Sequence, residues 1–458
     1  MKTNVKPRAK RRTKLVLSGL GLGAILIAAS AFGIARSGTK IPDISTSAKS
    51  EIVVPDDIAR ATNPSGQSLD QLITNLQTRL EAIPGDSVGW ATLGIAYVQQ
   101  AKVTVNSDFY PRADGVLAKS LELNDDDNFL AYAGLSALAS ARHDFAAAKT
   151  YAEQGIAING YSSILFGALS DAELQLGNYD AAFAAVDKMV SLRPDTTSFA
   201  RQSYTWELRG DIEQATALMQ RAFDVAPNAG DRAFTLFYLG ELSFNNGDVA
   251  AALDYYNRAQ AESPTDPAAL AGKAKAEAAL GQTETALDHY AELVGRAPEP
   301  SYVLEYGELL ESIGRTTEAR QQYDVFLATQ QLFAANGVEA DSVATLYDAD
   351  HGDPAKAMAD AETGIATRPF LAMYDAYAWA LHVNGRDAEA LAASATAMEL
   401  GVRNPLYLYH SGMIKLSLGD DEGARADLAE ALQLNPAFNP LAAPLAAAAL
   451  ASVGGPAA

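Results

Sequence analysis

Leu236-Phe-Tyr-Leu239-Gly240-Glu-Leu-Ser-Phe-Asn-Asn-Gly247-Asp-Val-Ala-Ala-Ala252-Leu-Asp-Tyr-Tyr256-Asn-Arg-Ala259-Gln-Ala-Glu-Ser-Pro264 is the stretch whose reading decides the fold. Before Gly247 the large apolar residues recur at helical spacing, a pattern clearest in Trp90-Ala-Thr-Leu93-Gly94-Ile-Ala-Tyr97, where i, i+3 and i+7 share one helical face. The small residue at i+4 sits where two helices approach too closely for a longer side chain. After Gly247 a second stripe, Ala252, Tyr256 and Ala259, marks another helix. Pro264 stops it, because proline lacks the amide and clashes with the preceding turn. The stretch is a helical hairpin.

The hairpin repeats. Its glycine returns as Gly177, Gly210, Gly247, Gly281, Gly314, Gly352, Gly385 and Gly419, and each is followed five residues later by alanine, from Ala182 to Ala424. The i+4 position is Gly94, Ser170, Ser203, Gly240, Ala274, Gly307, Ala378 and Gly412, with Leu135 breaking the rule. Proline closes six units, at 194, 227, 264, 298, 369 and 436. A fixed period of this length predicts an all-α solenoid in which each unit buries its apolar face only against its neighbours. About ten units run over residues 87–436, two of them degenerate, around Asn128–Asn159 and Asp341–Pro369. Seven extra residues fall near Val103–Tyr110 and four near Gln330–Gly337.

The arrangement Trp-x2-Leu-Gly-x2-Tyr, then Ala-x3-Tyr-x2-Ala-x4-Pro, resembles the tetratricopeptide repeat (TPR), which implies a right-handed superhelix with a concave groove. Tyr110-Pro-Arg-Ala, Ala141-Arg-His-Asp-Phe145, Leu332-Phe-Ala-Ala-Asn-Gly337, Asp348-Ala-Asp-His-Gly352 and His410-Ser-Gly-Met are similar to a family of bacterial exported TPR proteins without an assigned activity. That resemblance covers residues 68–445 and implies no catalytic residue.

Residues 1–14 hold seven Lys or Arg and no acid, and Leu15–Ala35 is uncharged and mostly apolar. A run of that length spans a bilayer core of about 30 Å. The basic flank predicts a cytoplasmic N-terminus and repeats outside. Ala29-Ser30-Ala31 also offers a cleavage site, and Arg11-Arg12 a twin-arginine signal, so anchor and removed signal peptide both stay open. Residues 36–67 read as a flexible linker, 68–86 as an N-terminal capping helix opened by Ser68-Leu-Asp-Gln71, and 437–458 as a capping helix, which Pro444 can bend, followed by a tail.

The formal charge is −21; without the seven N-terminal bases, 28 bases face 56 acids, or −28. Such a domain repels phosphate backbones, so nucleic acid and anionic lipid are excluded as partners. No cysteine occurs, which removes disulfides and thiolate metal sites. The five histidines fall in different units without metal spacing, and Asp348-Ala-Asp-His-Gly-Asp353 departs from a calcium loop in its glycine and in Ala359 at position twelve. No phosphate loop or nucleophile elbow appears, so neither an enzyme nor a cofactor is expected.

Function then falls to the concave groove, which the TPR resemblance lines with Tyr204, Glu207, Tyr238, Glu241, Phe244, Trp379 and His382. Aromatic anchors among carboxylates suit a protein or peptide bearing apolar and basic residues. TPR clamps for chaperone carboxyl termini use lysine where this chain has Ala91, Gly167, Ala200, Phe237, Ala271 and Leu304, so that ligand is not expected. The expected function is a non-enzymatic extracytoplasmic scaffold in an envelope or secreted complex; the alternative is a carrier holding a small ligand or metal in the superhelix.

Overall fold

The computed structural model describes residues 68–454, except the side chain of Val103, and every secondary-structure element in that range is a helix. The N-terminal residues 1–67, with the apolar run and linker, lie outside the described residues. Among the described residues, no helix is long and apolar enough to cross a membrane. After a first helix at Leu69–Ala82, ten hairpins follow, from Ser87–Thr104 with Phe109–Leu123 to Pro405–Ser417 with Asp421–Leu434, and Ala442–Ser452 ends the array.

The turn inside a hairpin is built the same way almost throughout. One residue takes a left-handed conformation, the next amide reaches back to a carbonyl five residues earlier, and an Asp or Asn often caps the second helix. Gly247 shows it: its φ is +83°, Asp248 N–H donates to the Ser243 carbonyl at 3.0 Å, and the Asp248 carboxylate accepts from Ala251 N–H at 3.0 Å. His143 fills the glycine position at φ +63°, with Asp144 capping Ala147 in the same manner. The unit around Asn128–Asn159 is therefore regular. Its small i+4 residue is Ser136, not Leu135: Ser136 Oγ bonds the Ala148 carbonyl at 2.9 Å just as Ser203 bonds Ala215 at 2.7 Å. Reading the small position one residue too early made this unit look degenerate. Gly352, by contrast, lacks the left-handed conformation, and its unit opens with the short helix Ser342–Asp350.

Packing explains the small residues. Tyr256, fully buried, stands between Gly240 of its own hairpin and Gly272 of the next, and a Cβ on either glycine would collide with its ring. Leu117 stands likewise between Gly94 and Gly134. A large residue on the second helix thus locks two hairpins at once, provided both facing positions stay small.

The two insertions extend helices. Ser87–Thr104 runs a turn past its neighbours and ends through Val105 at φ +50°, while Thr316–Ala335 grows to 20 residues. Pro444 falls in the first turn of Ala442–Ser452, where its missing N–H has no intrahelical partner to lose, so it does not break the helix.

The expectation that units meet only their neighbours needs correcting. The array winds back on itself, and turns within early hairpins dock on turns between hairpins some 190 residues later. His143 Nδ1 meets the Glu339 carbonyl at 3.0 Å, and buried Asn435 donates from Nδ2 to the Phe244 carbonyl at 2.7 Å. Between these, Gly177, Gly210 and Gly247 press on the carbonyls of Pro369, Gly401 and Leu434. Leu174, Tyr179, Leu208 and Leu371 form an apolar cluster across the same seam, joined by Tyr204, Leu400 and Val402.

Candidate partner-binding face

The first helices of successive hairpins carry the expected groove residues, and the structure sorts them by burial. Tyr238 is 7% exposed, wedged edge-on against Phe234 and Phe237 at 4.8 and 5.0 Å. Phe244 is 3% exposed and Trp379 6%. These three aromatic rings therefore stiffen the wall more than they offer it to a ligand. Tyr204 is half-buried at the seam. Trp379 donates from Nε1 to Asp350 at 2.7 Å, stacks on His410 at 4.3 Å and lies 4.8 Å from His382, whose Nδ1 pairs with Asp387 at 2.5 Å.

What the face presents instead is carboxylate. Glu241 accepts the Tyr256 hydroxyl at 2.6 Å and the Lys275 ammonium at 2.7 Å; the same ammonium lies 4.4 Å from the Phe244 ring centre. Tyr290 donates to Glu305 at 2.9 Å and Tyr323 to Glu311 at 2.6 Å. Three consecutive hairpins thus repeat one device, a buried second-helix tyrosine whose hydroxyl ends on a first-helix glutamate. The signal was legible: a buried phenol needs an acceptor, and glutamate lies 12 or 15 residues away each time.

His351 continues the strip. It stacks on Tyr323 at 4.6 Å and lies 3.7 Å from Glu308 and 3.5 Å from Glu311. Glu308 also accepts from Asn439 Nδ2 at 2.9 Å, tying in the C-terminal segment. Glu207 differs from the others. Among the described residues its carboxyl has no hydrogen-bond donor or cation, and Glu241 repels it.

Electrostatics follow from this crowding. Burial and the charge of Glu241 push the Glu207 carboxyl up to about 7, and burial lifts Glu299 to about 7 and Asp266 to about 6 despite the backbone amides Asp266 accepts from. Burial opposes the charge on His351, but Glu308, Asp350 and Glu311 outweigh it and raise its pKa. A carboxyl raised in the fold binds more protons there than in the unfolded chain, so stability falls as pH climbs from its unfolded value through its folded one. A raised histidine loses its contribution as pH rises through its folded value, which has the same sign. The melting temperature should therefore decline between pH about 5 and 8. Glu207→Gln should raise it at pH 8 and leave it unchanged near pH 4; no gain at pH 8 would mean the carboxyl is not crowded in solution.

Among the described residues, no group of three or more His, Cys, Asp or Glu is placed to hold a metal ion.

Tetratricopeptide-repeat family models match residues 209–267 and 272–332, and another matches 406–438. No curated protein matches this chain in sequence. Among solved structures it is similar to a tetratricopeptide repeat protein from Parabacteroides merdae, 19% identical with a TM-score of 0.33 over 57% of this chain and 98% of that one. It is also similar to the human IFIT1 dimer with PPP-AAAA, 13% identical with a TM-score of 0.42 over 83% and 94% of the two chains. PilW, a type IV pilus biogenesis factor, is 16% identical with a TM-score of 0.38 over 49% and 97%. With ten hairpins in register among the described residues and the family models falling on them, the chain is a tetratricopeptide-repeat protein.

Proposed function

We propose that this protein works outside the cytoplasm as a non-enzymatic scaffold that holds a basic, partly apolar segment of a partner in an envelope or secreted complex. Tetratricopeptide arrays are protein-interaction scaffolds, generally without catalysis, and this chain is one. The observation that carries the choice of partner is the Glu207 carboxyl, repelled by Glu241 on the first-helix face and without a cation among the described residues. A ligand ammonium or guanidinium there relieves the repulsion between the two acids, as Lys275 already does for Glu241. The extracytoplasmic setting rests on the seven bases that precede the apolar run at Leu15–Ala35.

Fluorescence anisotropy with a panel of labelled peptides of equal length and varied charge tests the partner class. Basic amphipathic peptides should bind most tightly, weaken as salt screens the charges, and bind several-fold less well to Glu207→Gln. Equal or tighter binding of acidic peptides would sink the reading. The setting is tested separately: protease added to intact protoplasts should digest the repeats and spare the first fourteen residues, whereas protected repeats would reverse the topology.

A further inference from the structure

The seam between windings joins parts of the chain that the repeat pattern does not relate. One lip is made of turns inside hairpins, at His143, Gly177, Gly210 and Gly247; the other is made of turns between hairpins, at Glu339, Pro369, Gly401 and Leu434. We propose that this seam is a latch, so that the array exchanges between a closed form with its windings docked and an open form in which they part.

Three features support a latch over a permanent joint. The lips meet through turns, while neighbouring hairpins interlock through whole helix faces with side chains such as Tyr256 set between two glycines. Much of the polar bonding across the seam is slight, glycine Cα groups against carbonyl oxygens, one imidazole and the Asn435 amide, and the buried Arg368 adds its guanidinium over the Phe145 ring at 5.6 Å. The curvature of a solenoid is the sum of small rotations between units, so a small change at each of several interfaces separates the lips without breaking any hairpin. The apolar body of the seam, Tyr179, Leu208, Leu371 and their neighbours, is then what opening exposes. Where the first-helix face holds a partner as proposed above, the latch regulates access to it from the side; the latch itself is read without any ligand.

The test is a distance across the seam. The chain has no cysteine, so nitroxide labels on Asp180→Cys and Glu399→Cys, exposed residues on opposite lips, are the only ones present. The charge of Glu399 reaches the Tyr179 hydroxyl, so the lips are near neighbours there. Pulsed electron-spin measurements on the otherwise native protein should give mainly one short distance. Asn435→Asp removes the donor to Phe244 while keeping an oxygen for the Ala437 amide, and leaves every backbone angle allowed. It should raise the long-distance fraction by about tenfold or more, because the lost hydrogen bond is joined by a buried carboxylate facing a carbonyl oxygen. Gly210→Ala should do the same, with circular dichroism checking that helix is retained, while Gly281→Ala, a turn glycine with open space around it, should not. A long distance in the native protein, no change in Asn435→Asp, or an equal change in Gly281→Ala would overturn the latch. None of these readings depends on a peptide binding, so they stand apart from the partner experiment.

Discussion

Gly240→Leu should lower the melting temperature more than any other single change considered for this protein. The Cβ alone collides with the Tyr256 ring, which is fully buried and bonded through its hydroxyl to Glu241, so it cannot swing aside without breaking that bond. Gly272 presses on the same ring from the next hairpin, which closes the escape on the other side. Overpacking of this kind costs about 3 kcal/mol or more where the neighbour cannot move. Thermal unfolding followed by circular dichroism checks it. An unchanged melting curve would place Gly240 away from the contact between helices and disprove the register.

The second large effect separates local strain from the seam. Gly247→Ala and Gly281→Ala both force alanine into a left-handed turn, at φ +83° and +75°, and should share a conformational penalty of about 1 kcal/mol. Only Gly247 faces another winding, where a new methyl group meets the Leu434 carbonyl, a backbone atom held by the end of its helix. Gly247→Ala should therefore lose roughly 1 to 3 kcal/mol beyond Gly281→Ala in denaturant melts. Equal losses would mean the windings do not touch in solution.

Much of the hairpin was readable in advance because its causes are local. A glycine turn, an aspartate cap and a small residue opposite a large one lie within one unit, and repetition lets each unit check the next. The unit around His143 was counted but read as degenerate, because histidine stands where glycine is expected and the small position was set one residue early, at Leu135. The expected binding face was only partly readable. Helical spacing puts Tyr238, Glu241 and Phe244 on related positions, yet it does not say that Phe234 and Phe237 cover Tyr238 or that Lys275 reaches Glu241 from the following hairpin. Burial of a ring depends on what the adjacent hairpin brings to it, and that was not in the pattern of one unit.

By itself the sequence determined the helices, the hairpin turns, the all-α repeat class and the acidity of the array, since each follows from residue type and spacing within about one period. Tertiary structure alone decided that the array closes on itself. Asn435 and Phe244 are 191 residues apart, and so small a change in the rotation between hairpins moves them together or apart that no periodic signal records it. It decided too which acids find partners. Glu241 has its lysine and Glu207 has none among the described residues, because the charge on a side chain is written in the sequence but its neighbours are set by how one hairpin packs on the next.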